Sequence, residues 1–209
     1  VNRFNRTLTG LWVVCVGFLL LGDVSAAAGP SATAAVKETT KRLLTALESQ
    51  RAVLERNPER IYDLVDEILV PHFDFRKITQ AAVGRRHWGK ASGDQRQALT
   101  EGFQQLLIRT YAKALLNYSG QKIRYLSERP GCRKSTAVVS SEVREPGAGF
   151  IPIDYKLYNR HGRWKVYDVK IDNVSLVLNY RRIFGTQIGR EGIDGLISRL
   201  RKMNARGTQ

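Results

Sequence analysis

Cysteine is almost absent: among 209 residues only Cys15 and Cys132 carry a thiol. Cys15 lies inside an N-terminal apolar run, and Cys132 stands between Gly131 and Arg133 in a turn-like stretch with no base beside it. A chain that has shed its N-terminus therefore has no internal disulfide, and apolar burial must hold the fold. Histidine is equally scarce. His72, His87 and His161 are scattered, and none stands at zinc-ligand spacing with Cys, Asp or Glu, so no metal site is assigned. The sequence also lacks a Gly-rich phosphate loop, a nucleophile elbow and a dinucleotide fingerprint. Asp74, Asp154 and Asp168 remain as candidates for a carboxylate pair, but alternation puts Asp154 and Asp168 on the polar side of their strands, where they read as solvated residues. No catalytic residue and no cofactor follow from this inventory.

Acidic charge is in short supply. The chain holds 34 Lys and Arg against 19 Asp and Glu, a formal net charge of +15. That balance suits an anionic partner, though a solvated basic surface would account for it equally. Long hydrophobic runs are missing too. The one apolar run, from Leu11 to Leu21, falls well short of the roughly 20 residues that span a bilayer. Arg3 and Arg6 precede it, and small residues follow it at Val24-Ser25-Ala26 and Ala26-Ala27-Ala28. Residues 1–28 therefore read as a secretory signal peptide of the Sec type. Paired arginines are lacking and Cys15 sits within the run, which argues against twin-arginine export and against a lipoprotein. The expectation is one exported domain over residues 29–204 with a disordered tail at 205–209. For such a protein the anionic surface is a membrane, not nucleic acid.

What is present is periodicity. Helical spacing covers residues 32–56, where Asn57-Pro58 ends it, and Ile61, Leu64, Val65, Ile68 and Leu69 make a second stripe that stops before Pro71. Phe73, Phe75, Ile78 and Val83 suggest a short helix capped by Gly84, with Trp88 on the following loop. Ser92 and Gln95 form a capping box for a long helix reaching Tyr118, with Leu107 and Tyr111 on its apolar face. Alternation then takes over. About four strands joined by short turns predict an antiparallel meander, the last pair linked by a hairpin at residues 159–162. In the fourth strand Trp164 and Val166 share one parity while Tyr167, Val169 and Ile171 share the other, so a bulge near Tyr167 is expected. Past Asn173, residues Leu176, Val177, Tyr180 and Phe184 return to helical spacing, and Leu196, Ile197 and Leu200 mark a last helix over residues 193–203. The fold class is α+β, a curved antiparallel sheet covered by helices. Its apolar stripes suit a solid core and a ligand cavity alike, since both use the same residue types.

Two segments carry a resemblance. Residues 69–121, with a Pro and an aromatic pair before a Gly-ended short helix, and residues 162–202, containing WKVYDV, an Asn-Val-Ser-Leu turn into NYR and EGIDGLISRL, resemble the MlaC family of toluene-tolerance auxiliary proteins. The resemblance implies a soluble periplasmic phospholipid carrier with no enzymatic activity. It further implies a lipid cavity between sheet and helices, and partners in an inner-membrane ABC transporter complex with a lipid-binding ring and an outer-membrane lipoprotein associated with a porin. On the face assignments above, the lining would be Phe73, Phe75, Val83, Trp88, Leu107, Tyr111, Tyr155, Val169, Val174, Leu176, Tyr180 and Phe184. Arg181 and Arg182 could draw a headgroup phosphate to the mouth, a role that ordinary surface arginines would mimic. An exported enzyme with a similar pocket for a small apolar substrate, and an adaptor with a solid core, are the competing readings. A monomer is expected.

Overall fold

The computed structural model describes residues 29–133, 135–145 and 149–206. The expected signal peptide lies outside them. Ser31 accepts a hydrogen bond from the Ala34 N–H and so starts α1 (Ala32–Ser49). The single helix expected over residues 32–56 is interrupted at Gln50, which leaves helical geometry before α2 (Arg51–Arg56). The break lets Leu54 turn onto Leu43, Leu47, Ile61 and Leu64, so tertiary burial overrides local propensity. After α3 (Arg60–Ile68) a 3-10 turn, Val70–His72, carries Pro71. Asp74 then caps α4 (Phe75–Val83). Gly84, at φ 84°, ends α4 and opens α5 (Arg85–Lys90), so Trp88 is helical and buried where a loop was expected. The Ser92–Gln95 capping box opens α6 (Gly93–Leu115) as the spacing predicts.

The sheet runs β1 (Ile123–Pro130), β2 (Thr136–Glu145), β3 (Gly149–Arg160), β4 (Arg163–Ile171) and β5 (Val174–Ser175), neighbours in that order and all antiparallel. The strand beyond the expected four is β5. Asp172 and Asn173, at φ 46° and 65°, reverse the chain at once, and two residues are too few for alternation to reveal. The bulge is where the parity switch put it: Lys156 faces Asp168 and Leu157 faces Val166, leaving Tyr167 unpaired. A second register shift lies between Tyr125 and Ser127 in β1. Such insertions bend a sheet and raise its twist. The two helices expected after Asn173 are both present, meeting at a kink where Gly192 leaves helical geometry; together they are labelled α7 (Leu176–Arg206), which includes Ala205 and Arg206 from the expected tail.

Among the described residues, three apolar clusters form the interior. One joins α4, α5, α6 and α7 around Phe103, whose ring meets those of Tyr180 and Phe184 edge-on at 4.8 Å each. Another joins α1, α3 and α6 around Leu43, Ile61 and Leu64. The third sets Val36 of α1 on Ala137, Val139 and Leu157 of the sheet.

Candidate apolar ligand cavity

The three clusters meet without filling the space between them, leaving a cavity of about 510 Å³. Ile153, Tyr155 and Leu157 of β3 and Val166, Val169 and Ile171 of β4 form its floor. Alternation turns the odd positions of β3 inward, and the Tyr167 bulge hands the inward face of β4 from Val166 to Val169. Val36, Leu43 and Leu44 of α1, Val65 and Leu69 at the end of α3, Leu107, Tyr111 and Leu115 of α6, and Leu176 and Val177 of α7 close the rest. The lining is overwhelmingly apolar, and its size falls within the roughly 300–1,000 Å³ range of ligand pockets.

One wall is fixed by a short polar network. The Asp74 N–H donates to the Val166 carbonyl at 2.9 Å, tying the segment before α4 to β4. The Asp74 carboxylate accepts from the Lys77 N–H at 2.9 Å and from the Tyr158 hydroxyl at 2.5 Å. Held from both sides, Asp74 sets Phe73 and Phe75 stacked at 5.7 Å against the cavity. Polar side chains are few: Thr39, Thr40, His72, Asn117, Gln121 and Asp168. Burial, and then the nearby charges of Arg42 and Lys165, hold His72 below the ordinary imidazole value, so it lines the cavity as a neutral ring at pH 7. Burial, then Tyr125, pushes the Tyr155 hydroxyl up to about 12. Burial, then Tyr180, also raises Tyr111.

The opening lies at the end of α6. That helix packs chiefly on α7, α4 and α3. Ala114 in its last turn and Asn117 just past it line the cavity and are also exposed, and Ile123, Val143 and Ile171 at strand ends, with Ile153 inside β3, line the cavity too.

Of the residues singled out from sequence, Phe73, Phe75, Leu107, Tyr111, Tyr155, Val169 and Leu176 lie together on the cavity wall. Val83, Trp88, Tyr180 and Phe184 do not; they are buried in the solid cluster between α4, α5, α6 and α7. A helical stripe specifies the inward face but not whether a neighbour fills the space beyond it. Val174 is exposed beside the opening. Arg181 and Arg182 are exposed on α7 and line no part of the cavity, and the Arg181 guanidinium lies over Gly84, 3.7 Å from where a Cβ would stand. Asp168, read from sequence as solvated, is buried: the bulge and the return of β5 enclose it. The α1 and α3 contributions were missed, although Thr39 and Thr40 beside Leu43 and Leu44 mark a face only partly apolar, as a lining helix would show.

An α+β protein with an apolar cavity between a curved antiparallel sheet and a helical layer is the class that the fold and site define. The family model described as MlaC protein matches residues 37–202, and the chain belongs to that family. It is 29% identical over 185 residues to toluene tolerance protein ttg2D of Pseudomonas putida, covering 88% of this chain and 84% of that protein. It is 24% identical over 203 residues to the intermembrane phospholipid transport system binding protein MlaC of Haemophilus influenzae, covering 96% and 94%. A solved phospholipid-binding protein from Ralstonia solanacearum, in complex with a phospholipid, superposes with a TM-score of 0.79 at 34% identity over 86% of this chain and 100% of that one.

Proposed function

We propose that this chain is a periplasmic phospholipid carrier that holds acyl chains in the cavity between sheet and helices. The observation that carries the reading is the apolar space itself. At about 24 cal/mol per Å³, leaving 510 Å³ empty would cost on the order of 10 kcal/mol, comparable to the net stability of a whole domain. Partial opening to water lowers that figure, but an occupant of apolar chains removes it. Family membership and the phospholipid-bound relative support the same ligand. Each buried CH₂ contributes about 0.8 kcal/mol, so two long chains represent on the order of 20 kcal/mol against water, and free diffusion of the lipid is negligible. A cavity giving nearly that stabilisation makes exchange with a bilayer close to neutral and leaves direction to the partners. In this reading the protein is a monomer without a cofactor and catalyses no reaction. It exchanges lipid with an inner-membrane ABC transporter complex and with an outer-membrane lipoprotein and porin, maintaining outer-membrane lipid asymmetry. Native mass spectrometry of gently purified protein tests it: phospholipid should co-purify at a fixed stoichiometry, and a reproducibly lipid-free protein would overturn it.

A further inference from the structure

The end of the molecule at which the cavity opens has a distinctive surface. The strand ends Ile123, Val143 and Ile171 line the cavity there. Val174 pairs directly with Ile171, and directly opposed residues share a face of the sheet, so Val174 continues the cavity floor out past the opening. It is 53% exposed, and Leu178, in the first turn of α7, is 60% exposed. Phe150, near the start of β3 at the same end but on the face of the sheet turned away from the cavity, is 53% exposed, and the Arg124 guanidinium stacks over its ring at 5.1 Å. These apolar groups lie on separate segments and not in one groove.

Cations accompany them. Lys122 and Arg144 are exposed and lie on adjoining backbone, where the Arg144 N–H donates to the Lys122 carbonyl. Arg124 pairs with Glu142, and Lys170 faces Ser175 across the short β4–β5 ladder. From this rim we infer that the cavity opening docks directly on an anionic lipid bilayer, an inference that rests on the carrier reading above. Separate apolar tips enter the boundary between headgroups and acyl chains, while lysines and arginines meet anionic headgroups. A bilayer demands no matched shape from its partner, which suits dispersed tips better than it suits a protein groove. Chains leaving the bilayer would pass from Val174 to Ile171 over continuous apolar surface, without crossing water.

Flotation of the exported chain with vesicles tests this. Vesicles of phosphatidylglycerol and phosphatidylcholine should carry the protein up, vesicles of phosphatidylcholine alone should carry much less, and raised salt should release it. V174D/L178D should lower vesicle binding about tenfold. K122E/R144E, confined to exposed side chains, should lower it by at least about fivefold for each cation withdrawn. Lipid mass measured on the same preparations reads the cavity separately, and wild-type lipid content in a variant assigns its loss of vesicle binding to the rim. Vesicle binding that is absent in the wild type, indifferent to lipid charge and salt, or unchanged in both variants overturns the docking surface and leaves the rim to a protein partner. It does so whether or not the cavity holds lipid.

Discussion

Asp168 is 5% exposed, and its carboxylate accepts from the Ser175 hydroxyl, from the Val177 N–H and from Lys156 Nζ at 3.0 Å. One carboxylate thus joins β4, β5 and the start of α7 beside the cavity. Asp168→Ala strands those donors and should destabilise the fold by about 2–4 kcal/mol, read from urea unfolding. Cavity residues should respond differently from core residues. Phe103 is fully buried and is not part of the cavity lining, so Phe103→Ala should cost about 3–5 kcal/mol while lipid content of the folded fraction stays unchanged. Ile153 faces open space, so Ile153→Trp should shift stability by less than the roughly 1–3 kcal/mol of an overpacked core and should lower co-purified lipid instead. An equal loss of stability would show Ile153 to be ordinary core. Tyr155 supplies a pH signature. Its hydroxyl is raised by burial, then by Tyr125, to about 12, so folding favours the protonated form. That contribution is complete below about pH 10 and is lost as pH rises towards 12, on the order of 2–3 kcal/mol. Tyr158, also near 12 through burial and then the Asp74 carboxylate, titrates in the same window. Tyr155→Phe should therefore flatten the alkaline loss of stability without abolishing it.

Among the elements, α7 shows most clearly how local chemistry sets shape. Gly192 has φ 71° and ψ −173°, a conformation essentially confined to glycine, and it bends the helix between Ile188 and Leu196, which both reach the same apolar cluster. Gly192→Ala should cost about 1–3 kcal/mol, whereas Gly189→Ala, in regular helix with nothing within 4 Å of the added methyl, should stabilise by about 0.5–1 kcal/mol. Thermal melts of the two variants should shift in opposite directions. The bulge in β4 was legible because its parity switch is written in the residues themselves, Trp164 and Val166 against Val169 and Ile171. The two-residue β5 and the break at Gln50 were not, because one is shorter than any period and the other is set by where Leu54 finds its neighbours.

For the molecule as a whole, an interior of three clusters around a ligand space implies that stability depends on occupancy. Mild delipidation should lower the melting temperature, and adding phospholipid back should restore it, since a ligand that binds only the folded state stabilises by mass action. Melting unchanged by either step would mean that the apolar space contributes nothing through an occupant. No described helix is long and apolar enough to cross a membrane.

By itself the sequence determined the α+β class, the order of helices before strands, the bulge, the capping box and the apolar faces, because each follows from a local period or a local turn. It also carried, in the residues of two long segments, the resemblance to a family of lipid carriers. Only the tertiary structure decided which apolar faces meet and which stand apart. Tyr180 and Leu176 belong to the same stripe of α7, yet one packs against Phe103 and the other looks into open space. The difference is made by the neighbouring element, which periodicity within one segment cannot register.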